Sequence, residues 1–134
     1  MKNQLETLIQ SATDAYQNAY APYSHFHVGA AVVDEHGHVH TGCNVENAAY
    51  PSGSCAEEQA IGSMVVGGGR RIREIVVIGR SEELITPCGA CRQRIRELGD
   101  DQTRIHICDI DRGHLRTFTI EELLPESFGP ENLS

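Results

Sequence analysis

The chain has 134 residues, a formal net charge of -8, 40% hydrophobic residues and 22% charged ones. Its length lies near the commonest domain size and predicts one domain over residues 1–134. The acidic balance speaks against a nucleic-acid partner, whose phosphates need clustered Lys and Arg, and no apolar run approaches the roughly 18 residues of a membrane span.

Apolar positions at Leu5, Leu8, Ile9, Ala12, Ala15, Tyr16 and Ala19 recur at helical spacing and predict a helix from Lys2 to Ala19, closed by Pro22. Next, His27 to Asp34 and His38 to Asn44 read as a strand pair joined by the turn Glu35-His36-Gly37. Val45 to Ser54 has loop chemistry, and a helix follows from Ala56 to Val66, ended by Gly67-Gly68-Gly69. The unbroken apolar run in Glu74 to Gly79 predicts a strand buried on both faces in mid-sheet. A helix from Cys88 or Gly89 to Leu98 stops at Gly99. Strands at Arg104 to Asp109 and Leu115 to Phe118 flank the turn Asp111-Arg112-Gly113. Thr119 and Glu122 form a capping-box pattern on a last helical turn, which Pro125 ends. A hairpin followed by alternating helices and strands predicts an α/β fold, a three-layer α/β/α sandwich around a mixed sheet of about five strands.

The chemistry concentrates in Ser54-Cys55-Ala56-Glu57 and Pro87-Cys88-Gly89-Ala90-Cys91. Five cysteines (Cys43, Cys55, Cys88, Cys91 and Cys108) are an odd count, which fits a reducing compartment where thiols serve metals or chemistry. The polar start Met1-Lys2-Asn3-Gln4 opens directly into a helical pattern rather than a signal peptide, so the expected location is cytoplasmic. Zinc takes four tetrahedral ligands, and a catalytic site leaves one of them to water. Cys55, Cys88 and Cys91 would supply the other three, with both segments at helix starts whose positive dipole ends lower thiol pKa values. Glu57, two residues beyond Cys55, would move the water's proton without binding the metal. A Cys or His two residues before Glu, followed by P-C-x-x-C, is a signature of zinc deaminases acting on nucleobases. C-x-x-C alone is weak, and a closed structural site completed by Cys43 or Cys108 is the alternative.

These segments resemble the small, homotetrameric cytidine deaminases of nucleotide salvage, as do Ala21-Pro22-Tyr23-Ser24, Val28-Gly29-Ala30-Ala31, Asn44-Val45-Glu46-Asn47-Ala48-Ala49-Tyr50 and Glu122-Leu123-Leu124-Pro125. The resemblance implies one zinc per chain on Cys55, Cys88 and Cys91, with Glu57 as the catalytic proton carrier. It further implies Asn44 and Glu46 on the ribose hydroxyls, Phe26 stacked on the pyrimidine and Ala56 beside the substrate. Ala48, Tyr50 and Phe128 would act on a neighbouring subunit's pocket. The implied reaction is hydrolysis of cytidine and 2'-deoxycytidine to uridine and 2'-deoxyuridine with release of ammonia, on a free nucleoside and with no membrane or nucleic-acid partner.

One departure stands out. Many members of that family follow C-A-E with Arg, near the thiolates, where this chain has Glu58. A carboxylate there would raise the thiol pKa values or turn to solvent, Arg92 could compensate, and a different aminated ring becomes the alternative substrate. Three further features have plain structural readings. His36, His38 and His40 read as a solvated strand face, Cys43 and Cys108 as small buried apolar residues, and Arg70, Arg71, Arg73, Arg92, Arg94 and Arg96 as a solvated or intersubunit surface.

Overall fold

A computed structural model describes residues 3–133. Helix α1 spans Gln4–Gln17. Its N-cap Asn3 accepts the Glu6 N–H on Oδ1 at 2.8 Å, and the expected start at Lys2 lies outside the described residues. The helix ends before the predicted Ala19 because the backbone finds other partners: Tyr20 donates its N–H to Asn44 O at 3.0 Å and Glu46 donates to Tyr20 O at 2.8 Å. Those bonds compete with another helical turn.

The remaining elements are β1 (Val28–Asp34), β2 (Val39–Cys43), α2 (Ala56–Val66), β3 (Ile72–Gly79), α3 (Gly89–Leu98), β4 (Arg104–Asp109), β5 (Gly113–Phe118) and α4 (Ile120–Leu123). A short 3-10 turn at Tyr50–Ser52 falls in the segment predicted as loop, and another at Pro130–Asn132 lies in the tail beyond Pro125, where no element was predicted. The sheet runs β2-β1-β3-β4-β5, with β3 and β4 parallel and every other pair antiparallel. This is the mixed five-stranded sheet expected. Strand β3 starts two residues earlier than predicted, since Ile72 is fully buried and pairs with Asp34 past a bulge in β1.

Alternation sorts each central strand onto two cores. Ala30 and Val32 of β1 join Ile75 and Val77 of β3 beneath α2 and α3, whereas Ala31, Val33, Val76 and Ile78 pack against α1. Both faces are covered, so the apolar run of β3 is unbroken. Glycine sets how closely α2 lies on the sheet. A Cβ on Gly42 would stand 2.5 Å from both Ala56 O and Ala60 N, so any side chain there would push the start of α2 away. No helix among the described residues is long and apolar enough to cross a membrane.

The histidine series departs from the solvated face expected of it. His36 and His38 are exposed, but His40 turns inward to Asp34, which is 0% exposed. Asp34 accepts from His36 N at 2.8 Å, His38 N at 2.9 Å and His40 Nε2 at 2.8 Å. An ionised carboxylate only accepts, so His40 carries its hydrogen on Nε2. Burial opposes ionisation, yet the His40 ring and the two N–H groups outweigh it and bring the Asp34 carboxyl down to about 2. A depressed carboxyl pKa stabilises the fold at neutral pH, and that contribution is lost as pH falls from near 4 through about 2. Asp34→Ala, which leaves three donors without their acceptor, is expected to cost about 2–4 kcal/mol in urea unfolding at pH 7. The gap to the wild type should narrow below pH 4; a gap that widens there would contradict this assignment.

Candidate active site

The site forms where the starts of α2 and α3 meet over β3. Cys55 is the N-cap of α2, Cys88 is the N-cap of α3, and Cys91 lies in the first turn of α3. An N-cap has extended backbone and a side chain free to turn across the helix end. Cap geometry turns Cys55 and Cys88 across their helix ends, and the meeting of α2 with α3 brings them to Cys91. The three sulfurs lie within 4.8 Å of one another, the one such cluster among the described residues. Tetrahedral Zn–S bonds of about 2.3 Å put sulfurs roughly 3.8 Å apart, so the donor set suits zinc. Neither Cys43 nor Cys108 belongs to the cluster. Cys108 packs in the core beneath α1, across the sheet, where burial pushes its thiol up to about 12. A closed four-cysteine site thus finds no support in the geometry.

The thiols do not behave alike. Burial acts against ionising Cys88, but the Cys91 and Ala90 N–H groups, with hydrogen bonds to the other two sulfurs, hold it below its ordinary value. The helix-start effect expected from the sequence operates there. Burial pushes the Cys55 thiol up, with the neighbouring Cys88 and Glu57 charges adding to it. Cys91, fully buried, is raised by burial first and then by Glu57, Cys55 and Cys88. Negative groups this close resist ionising together unless a cation shares them.

Glu57 is 5% exposed and lines the same cleft as Cys55 and Cys88. Burial raises its carboxyl pKa, with its own N–H and the charge of Arg94 pulling the other way. The cleft holds about 650 Å³, room for a small molecule such as a nucleoside. Asn44, Glu46, Tyr50 and Ala56 also line it, as do Tyr23 and Ser24, which the resemblance marked without giving them a role, and Ile85 and Thr86, which the sequence did not single out. Phe26, Ala48 and Phe128 are outside the lining. Phe26 is half-buried with its ring against Gly79, Ala48 is exposed, and Phe128 is 56% exposed, with its carbonyl bound to Gln93 Nε2 at 2.9 Å.

Asn44 and Glu46 serve the backbone as well as the cleft. Asn44 Nδ2 donates to Phe26 O at 2.8 Å while Oδ1 accepts Val28 N–H at 2.9 Å. Glu46 Oε1 accepts from Tyr23 N and Ser24 N, and Oε2 accepts the Ser24 hydroxyl. Led by that hydroxyl, these bonds hold the Glu46 carboxyl below its usual range. The pair ties the segment after α1 to the cleft wall and leaves a second Asn44 amide hydrogen and further carboxylate lone pairs for a ligand.

The arginine expected to compensate Glu58 is elsewhere. Arg92 is occupied by Pro87 O at 2.7 Å, Leu123 O at 2.7 Å and Thr86 Oγ1 at 2.7 Å, so it fastens the loop ahead of Cys88. Arg94 Nη1 instead donates to Cys91 Sγ at 3.4 Å. Glu58 neither faces the sulfurs nor turns away, since its Oε1 accepts Cys55 N–H at 3.3 Å and its Oε2 lies 3.5 Å from Arg94 Nη2.

A family model for the cytidine and deoxycytidylate deaminase zinc-binding region matches residues 2–107, which carry both cysteine segments and Glu57. The chain belongs to this deaminase family. Among its relatives, the cytidine deaminase of Sporosarcina psychrophila is 38% identical over 130 residues, which are 97% of this chain and 95% of that protein. The crystal structure of cytidine deaminase from Burkholderia pseudomallei superposes with a TM-score of 0.86 at 41% identity, covering 96% of this chain and 100% of that one. That from Mycobacterium tuberculosis superposes with a TM-score of 0.79 at 35% identity, covering 96% and 99%. The deaminase likeness therefore extends through both helix layers and the sheet. These relatives do not favour the different ring that Glu58 brought into view.

Proposed function

We propose that the chain is a zinc-dependent hydrolase converting cytidine and 2'-deoxycytidine to uridine and 2'-deoxyuridine with release of ammonia, in pyrimidine salvage in the cytoplasm, with residues 1–134 acting as one domain. The observation that carries this reading is the three-sulfur cluster opening on a cleft that Glu57 also lines. Zinc held by Cys55, Cys88 and Cys91 supplies, when bound, a water of lowered pKa.

The remaining work falls to side chains. Glu57 takes one proton of the attacking water and passes it to ring N3, then takes the second from the hydroxyl now on C4 and delivers it to the departing amino nitrogen, so that C4 becomes a carbonyl and one water is consumed for each ammonia released. Its burial keeps that carboxyl out of bulk solvent and sustains its proton affinity. Asn44 and Glu46 offer a donor and an acceptor to the ribose hydroxyls and Ala56 stands beside the pyrimidine, while stacking by Phe26 requires its ring to turn from Gly79 into the cleft. Tyr50 is 75% exposed and Phe128 is 56% exposed. Aromatic surface of that kind supports a homotetramer in which Ala48 and Phe128 complete a neighbour's pocket, whereas Tyr50, expected to act there too, lines the cleft of its own chain. Sedimentation of the purified chain as a monomer at micromolar concentration would remove that assembly.

The decisive assay is ammonia release from cytidine by purified, zinc-replete protein, with uridine formed in equal amount. 2',3'-Dideoxycytidine should turn over with a kcat/KM about 10–100-fold lower, because it leaves Glu46 and Asn44 without a hydroxyl partner. Absence of ammonia from cytidine and 2'-deoxycytidine alike would overturn the function; equal turnover of the dideoxy analogue would overturn the ribose contacts alone.

A further inference from the structure

Beyond the ligands themselves, a bridge of two hydrogen bonds and one ion pair joins the two helices that carry them. On α2, Glu58 lies three positions after Cys55 and bends back to accept its N–H. On α3, Arg94 lies three positions after Cys91 and bends back to donate to its sulfur. The two side chains then meet across the helix gap, Glu58 Oε2 to Arg94 Nη2 at 3.5 Å. The path runs from the Cys55 backbone through a carboxylate and a guanidinium to the Cys91 sulfur.

We propose that Arg94, held in place by Glu58, is a positioning residue that orients the Cys91 sulfur, offsets part of the thiolate charge, and thereby governs how firmly the site retains its metal. This inference rests on the reading that Cys55, Cys88 and Cys91 bind zinc. Three thiolates around a divalent cation leave one excess negative charge, and Glu57 adds another beside it. A guanidinium on one sulfur answers that charge, and its planar fork lets Nη1 serve the sulfur while Nη2 serves the carboxylate. Partners in this outer position commonly set metal affinity by one or two orders of magnitude.

Glu58 and Arg94 are also interdependent. The Glu58 side chain is 41% exposed and that of Arg94 is 37% exposed, so as an isolated surface pair they would add little to stability. Their contribution comes from geometry. Glu58 restrains a long side chain that would otherwise sample solvent, and Arg94 in turn neutralises a carboxylate that would otherwise stand uncompensated near the thiolates.

The test compares zinc transfer to a chromophoric chelator from wild type, Arg94→Met, Arg94→Lys and the exchange variant Glu58→Arg/Arg94→Glu, alongside absorption spectra of the cobalt-substituted proteins. Arg94→Met keeps the stem and removes the fork. It is expected to release zinc about 10–100-fold faster and to shift the sulfur-to-cobalt charge-transfer band. Arg94→Lys should recover part of the loss through its charge, and the exchange variant should recover more by returning a guanidinium to the helix gap. Release rates and spectra identical in wild type and Arg94→Met would overturn the proposal, as would an exchange variant no better than Arg94→Met. Wild-type protein that takes up no stoichiometric metal would overturn the zinc reading itself, and this inference with it.

Discussion

Glu57→Gln is expected to lower cytidine turnover by about a thousandfold or more, with zinc content unchanged. Glutamine keeps the shape and one acceptor oxygen but can neither take up the proton of water nor deliver one to N3 or to the leaving nitrogen. The loss should therefore fall on kcat rather than on KM. Stability should move in the opposite direction. Burial raises the Glu57 carboxyl pKa, because the folded site disfavours its ionised form. A carboxyl raised in this way destabilises the fold as pH rises through its pKa. A neutral glutamine removes that strain, and the thermal midpoint should stay level or climb. Turnover within a few fold of wild type would sink the assignment of Glu57 as proton carrier, whatever became of the metal.

Cys91→Ala is expected to abolish stoichiometric zinc and reduce turnover to background. Cys91 is fully buried and sits in the first turn of α3, so no water or neighbouring side chain can take over its place in the cluster. A metal bound only by the folded chain stabilises it by mass action, about 4 kcal/mol at a thousand times Kd. Stripping the wild type with a chelator, or making Cys91→Ala, should thus lower the midpoint by roughly 10 °C. Restored zinc should rescue the stripped wild type and leave the variant unaffected. Cys108→Ala is the matched control, because that thiol lies in the α1 core on the far face of the sheet. Full zinc occupancy in Cys91→Ala would rule out the three-cysteine centre.

Where expectation and structure part, the cause is a partner distant along the chain. Helical spacing already favours Arg94, three residues after Cys91, over the adjacent Arg92, a signal that the expectation of Arg92 passed over. In the fold Arg92 is engaged by Leu123 O and Thr86 Oγ1, which leaves Arg94 on the face of α3 turned toward Glu58. His40 looked like one of three solvated histidines until Asp34, six residues away, proved to be buried opposite it. Glu46 was legible as a polar residue of a loop, whereas its bonds to Tyr23, Ser24 and the Ser24 hydroxyl cross more than 20 residues of chain. The Thr119–Glu122 capping box, by contrast, appeared as predicted, with Thr119 N–H on Glu122 Oε1 at 2.8 Å.

The sequence by itself determined whatever depends on near neighbours. Apolar period marked the helices and the doubly buried β3, and cap chemistry placed three thiols and one carboxylate at the starts of α2 and α3. Tertiary structure decided the strand order, which cysteines meet, and which charges answer the thiolates. Those outcomes depend on distances between segments some 30 residues apart, set by β3 and by the close approach of α2 to Gly42. A side chain's neighbours along the chain constrain its backbone, but the electrostatic field it experiences is summed over everything folded around it.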